Sequence, residues 1–194
     1  RFTPSMIRVQ RQLTYDEVNE NLLKETQFLK LHRLAEILRQ KRMNHGAMNL
    51  SLPELEIDID EKGALTLDLV TQDTPSRMIV AEFMILYNSL AGEFCRKNDI
   101  PILFRAQSEP TEKLPLDEKG YVFYVFQQRR KLSPLNISTN PHSHSGLGVD
   151  LYTQATSPIR RYLDLVAQRQ LFSFFSKSTP VYSEESLEEI RISV

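Results

Sequence analysis

The sequence predicts a mixed α and β fold (α+β), with long helices packed on a sheet, and three observations carry that expectation. Residues 14–46 and 75–97 each place apolar side chains at helical spacing. Residues 55–69 hold two runs that alternate apolar and polar around a glycine. With 194 residues, 41% of them hydrophobic, the chain is long enough to bury a core.

Thr14-Tyr15-Asp16-Glu17 fits a capping box, in which the threonine hydroxyl and the glutamate carboxylate satisfy amides at a helix start. Val18, Leu22, Leu29, Leu31, Leu34, Ala35 and Leu38 then recur, so one amphipathic helix is expected to end near His45-Gly46. Leu55, Ile57 and Ile59, and Leu65, Leu67 and Leu69 beyond Glu61-Lys62-Gly63, read as a β-hairpin. The stripe from Ile79 to Phe94 predicts a second, central helix over 75–97. Pro101 to Phe104 reads as a short buried strand or extended segment, and 107–120 as a polar loop. Tyr121 to Lys131 suits a strand-rich run or a helix, and periodicity does not choose. Residues 132–148 read as a loop. Ser157 as N-cap and Pro158 at the first helical position predict a last core helix to about Phe175, with a short helix from Glu184.

Net charge is −1, so no global positive field advertises a nucleic-acid partner. Cys95 is the single cysteine, which excludes a disulfide framework and a cysteine-rich zinc site. It reads as a buried small hydrophobe and suits an intracellular, reducing compartment, cytoplasm or organelle matrix alike. No unbroken apolar run of about 18 residues is present, so no membrane span is expected.

Arg160 and Arg161 stand in what reads as the first turn of a helix, where the macrodipole favours anions over cations. Two readings fit the spacing. Asp164 compensates them by surface ion pairing at i+4 and i+3, or two guanidiniums and free amides converge on a phosphate. Asp58 and Asp60 share a strand face, which reads as the solvent side of the hairpin and not as a metal site. His142 and His144 lack the partners of a zinc site and read as loop histidines.

Gly146-Leu147-Gly148 through Tyr152 and Thr156-Ser157-Pro158-Ile159-Arg160-Arg161-Tyr162-Leu163-Asp164-Leu165 resembles the signature of RNB exoribonucleases, the ribonuclease II/R-like family. Leu13-Thr14-Tyr15, Leu34 to Ala47, Ser76 to Asn88 and Pro101 to Arg105 resemble further family motifs in the same chain order, over roughly residues 5–172. The resemblance implies that residues 1–194 are the C-terminal portion of a single RNB domain whose metal-binding N-terminal half is absent from this chain, leaving the sheet incomplete. It implies part of a processive 3′→5′ exoribonuclease hydrolysing single-stranded RNA to nucleoside 5′-monophosphates. Arg160 matches the arginine that supports the transition state, and Arg161, Tyr15, Tyr162 and Glu82 match substrate-binding positions. Tyr15 also suits simple packing at the helix start.

Mg²⁺ is implied for the complete enzyme, held by upstream aspartates, with no metal ligand in this chain. The chain alone is therefore expected to be inactive, and its implied partners are single-stranded RNA and the missing half of the domain or other chains. The sequence departs from the family at Ala81, where a glutamate contacts ribose, and at Leu50, where a phenylalanine clamps terminal bases. Ser145 and Gln107 also replace an aromatic and a histidine. These departures support an alternative: a non-catalytic RNB remnant serving as a structural or RNA-docking subunit of a larger ribonucleoprotein.

Overall fold

A computed structural model describes residues 2–60, 63–70 and 73–193. Six helices and four strands run in the order α1 (Tyr15–Glu20), α2 (Thr26–Asn44), β1 (Glu54–Ile59), β2 (Leu65–Val70), α3 (Pro75–Lys97), β3 (Phe104–Gln107), α4 (Tyr121–Lys131), β4 (Leu135–Ser138), α5 (Tyr162–Phe175) and α6 (Glu184–Ser193). The mixed α and β class stands.

The capping box forms as expected. Glu17 N donates to Thr14 Oγ1, and Thr14 N donates to the Glu17 carboxylate at 2.6 Å. The single long helix expected from Thr14 to His45 is broken in two. Asn21 caps α1, its side-chain amide donating to the Glu17 carbonyl at 2.8 Å, and the chain turns before α2 begins. Asparagine competes with the helix ladder through such local bonds, and periodicity alone misses it.

The hairpin forms in the expected register, Leu55 opposite Leu69, Ile57 opposite Leu67 and Ile59 opposite Leu65. Glu61-Lys62 of its expected turn lie outside the described residues. Among the described residues the hairpin does not join the Pro101 segment in one sheet: β1 pairs with β2, and β3 pairs antiparallel with β4. The 132–148 segment, expected as loop, thus supplies a strand and a 3₁₀ turn at Ser145–Leu147. Tyr121–Lys131 resolves as a helix.

The core lies between the C-terminal half of α3, the 100–104 segment, the 151–155 segment and α5. Cys95, Ile102, Phe104, Leu151, Ala155 and Leu171 pack there. Phe94 stacks on Phe175 with centroids 5.6 Å apart, and Phe2 closes over Tyr87 and Phe94. A second cluster of Leu103, Val166 and Leu187 fastens α6 to α5.

One described helix, α3, is long and apolar enough to cross a membrane by length and composition. In the fold α3 packs on α1 and α2 and buries Ser76, Glu82, Asn88 and Ser89. Arg42 of α2 pairs with Glu82, and Tyr152 and Ala155 with Asn88, which marks α3 as the central helix here.

Candidate functional site

Asn88, fully buried in α3, fixes the chain that leads into the arginine turn. Its amide nitrogen donates to the Tyr152 hydroxyl at 3.0 Å, and its amide oxygen accepts from Ala155 N at 2.9 Å. Thr153 Oγ1 donates to the Leu103 carbonyl at 2.8 Å. Gln168 on α5 donates to the Ala155 carbonyl at 2.5 Å. The 152–155 segment is therefore held from three sides. Asn88 closes the Ser76 to Asn88 motif as a polar residue inside the apolar stripe of 75–97.

Upstream, the Gly146-Leu147-Gly148 turn is pinned to the helix pair. Gly148 takes a φ of +63°, open to glycine at little cost, and a side chain there would collide with backbone atoms of Arg42 and Ala47. Arg42 Nη1 donates to the Leu147 carbonyl at 2.7 Å, while its Nε and Nη2 hold the Glu82 carboxylate. Glu82, a residue expected at a substrate contact, is 3% exposed, and its carboxylate joins α3 to α2.

Ser157 and Pro158 do not open the helix. They form a turn, Arg160 N and Arg161 N both donating to the Ser157 carbonyl, and α5 begins at Tyr162. The cause is Asp164. Its Oδ1 accepts from Ser157 N and from Arg161 Nη2, each at 2.8 Å, and so draws the turn back onto the first turn of α5. Asp164 is wholly buried. Its Oδ2 and the Nε of Arg161 are buried without a hydrogen-bond partner among the described residues.

Of the two readings of the arginine pair, the structure divides them. Arg161 makes the ion pair with Asp164. Arg160 is exposed and has no acidic partner among the described residues. Ile159 beside it is fully exposed and Tyr162 is half-exposed.

Tyr15 stands at the start of α1, half-exposed, with the Arg77 guanidinium 4.6 Å from its ring centroid. No hydrogen bond, ion pair or ring contact links Tyr15, Glu82 and Arg160 to one another among the described residues. The candidate contacts therefore occupy three places: the arginine turn, the α2–α3 clasp and the α1 start.

His142 is exposed, but His144 is buried, its ring edge-on to Tyr152 with centroids 5.6 Å apart. Burial, reinforced by the charge of Arg105, lowers its pKa to about 4. Burial pushes the Cys95 thiol up to about 12, which makes it a poor nucleophile. A divalent metal needs several anionic or imidazole ligands together, and no group of three or more His, Cys, Asp or Glu meets that need among the described residues. The residues present do not fit a metal centre.

The chain thus packs helices around two small antiparallel sheets, with a glycine turn feeding an arginine turn. The solved RNase R of Mycoplasma genitalium in complex with ribose-methylated single-stranded RNA superposes with a TM-score of 0.75 at 22% identity, over 91% of this chain and 35% of that one. An active-site mutant of the Dss1 exoribonuclease of Candida glabrata gives 0.74 at 26% identity, over 94% and 26%. The family model of the RNB domain matches residues 1–117 and 118–177, and the chain belongs to the RNB domain family. An uncharacterized ribonuclease of Synechocystis sp. is 36% identical over 98% of this chain and 30% of its own length. The chain spans about a third of the length of the curated relatives it matches.

Proposed function

We propose that this chain is the C-terminal portion of an RNB domain and supplies the phosphate-contacting part of an exoribonuclease that removes nucleoside 5′-monophosphates from the 3′ end of single-stranded RNA. The observation that supports it is the unequal arginine pair. Asp164 holds Arg161 on the turn, which leaves Arg160 exposed with its guanidinium donors unspent. A guanidinium brought against the scissile phosphate stabilises charge that develops on phosphoryl oxygens. Arg161 acts as a positioning residue. The half-exposed rings of Tyr162 and Tyr15 offer faces on which unpaired bases stack. Glu82 contributes by keeping the glycine turn in register through Arg42, in place of a direct substrate contact.

Metal, in this reading, is Mg²⁺ held by carboxylates outside residues 1–194, which would supply the activated water. The 194-residue chain with Mg²⁺ and labelled oligoribonucleotide should release no mononucleotides, and steady, EDTA-sensitive release would refute the division of labour. In the whole protein, Arg160→Ala should lower turnover by about 10²–10³, the usual effect of losing one transition-state donor, with a smaller change in RNA affinity. Equal losses in turnover and affinity would make Arg160 a general phosphate anchor instead.

A further inference from the structure

The backbone that leads into Arg160 is gripped at several points, and the grip on Ala155 comes from two side-chain amides. The Ala155 N–H donates to Asn88 Oδ1 of α3 at 2.9 Å, and its carbonyl accepts from Gln168 Nε2 of α5 at 2.5 Å. Ala155 is itself wholly buried, so these amides stand where water cannot. The orientation of both amides follows from their partners. A backbone N–H only donates and a carbonyl only accepts, so an oxygen must face the first and a nitrogen the second. The two peptide planes that meet at the Ala155 Cα are thereby both fixed.

Further fixed points follow within five residues. Ser157 N donates to Asp164 Oδ1 at 2.8 Å, and Arg160 N donates back to the Ser157 carbonyl at 3.2 Å. Between them Pro158 has its φ set by its own ring. Asp164 and Gln168 stand four residues apart on α5, so they share one face of that helix. That face therefore holds the delivering segment at both Ala155 and Ser157. The other hydrogen bond of Gln168 runs to the Tyr87 hydroxyl at 3.5 Å, the outer limit for such a bond, so Ala155 is its principal partner.

We propose that Gln168 is a positioning residue, which sets where the Arg160 guanidinium meets the scissile phosphate by holding the Ala155 carbonyl. The proposal rests on the reading of Arg160 as the transition-state donor, and it assigns the placement of that donor to α5. A shift of the backbone at Ala155 moves the Arg160 Cα, and a misplacement of about 1 Å can cost about 10²-fold in rate. RNA affinity, spread over many contacts, changes little.

The test uses the whole protein, with single-turnover hydrolysis of a labelled oligoribonucleotide and RNA binding measured separately. Gln168→Met keeps the length of the side chain and removes the donor, and a partly buried position tolerates the change. The rate should fall about tenfold, the equivalent of one net hydrogen bond, while RNA affinity stays within about twofold. Gln168→Lys restores an N–H donor of similar reach and should recover most of the loss. In an Arg160→Ala background Gln168→Met should cost nothing further, because the group being placed is already gone. An unchanged rate in Gln168→Met overturns the proposal, as do additive losses in the double variant. An affinity loss as large as the rate loss also overturns it, by making Gln168 a binding residue. If Gln168→Met fails to fold, Gln168→Glu repeats the test, being of the same size and unable to donate when ionised. RNA hydrolysis that is indifferent to Gln168 removes the positioning role and leaves the nuclease reading standing. Absence of hydrolysis by the whole protein removes both.

Discussion

Arg42 on α2 holds the buried carboxylate of Glu82 on α3 with two donors and the carbonyl of Leu147 with a third, at 2.7 Å for the last. One side chain thereby joins two helices and the glycine turn. Its two partners are distant from it in sequence, so the clasp exists only when the whole fold is in place.

Removing one partner of such a pair strands the other. Arg42→Ala should destabilise by about 3–5 kcal/mol, because Glu82 would keep a buried charge without its counterion. Glu82→Gln should cost less, since the amide still accepts from Arg42 and carries no charge. Urea denaturation of the two variants orders them, and a loss below about 1 kcal/mol for Arg42→Ala would show that the clasp holds little.

Gly148→Ala tests the same turn from the backbone side. The residue sits at φ +63°, where an L side chain costs about 1–2 kcal/mol, and the added methyl would also press on Arg42 and Ala47 backbone atoms. Melting should fall by several degrees. Gly63, also at positive φ but with open space around it, should cost only the conformational part when replaced by alanine.

The elements that sequence made legible are those governed by local chemistry. The capping box at Thr14, the β1–β2 register, the extent of α3 and the end of α5 follow from spacing and cap residues. The family motifs located the arginine turn as well. What they did not reveal are effects that need a distant partner or a local competitor. Asn21 divides α1 from α2, and Asp164 delays α5 by drawing Ser157 back. β4 forms from a segment read as loop because β3 offers it an edge. The burial of His144 against Tyr152 is also invisible locally, as is the spending of Glu82 on Arg42. The apolar face of the hairpin stands exposed at Leu55, Ile57 and Ile59.

Asp164→Asn should separate folding from function. The amide oxygen can still accept from Ser157 N, but the ion pair with Arg161 is lost, and a hydrogen bond to a charged group contributes about 1.5–3 kcal/mol. In the whole protein, turnover should fall with little change in the binding of RNA, because the turn that presents Arg160 loosens. Unchanged turnover in a destabilised variant would assign Asp164 to folding alone.

The last expectation is a pH dependence. His144 has its folded-state pKa lowered to about 4, by burial first and by the charge of Arg105 second, against an ordinary 6.5. Above about pH 6.5 the imidazole is neutral folded or unfolded, and it contributes no slope. Between about 6.5 and 4 the unfolded chain binds a proton that the folded chain refuses, so stability must fall as pH falls through that window. Below about pH 4 both states are protonated and the loss from this group levels off. Carboxylates complicate the lower part of the range. Glu17 and Glu188 are held below their ordinary range, the first by the Thr14 amide and the second by the Arg191 guanidinium, and they add a loss of the same sign. The contribution of His144 is isolated by difference, with urea midpoints compared between the unaltered protein and His144→Phe from pH 7.5 to 5.0. The variant should show the shallower decline on acidification, and parallel curves would mean that the imidazole takes up its proton in the folded state near its ordinary pKa.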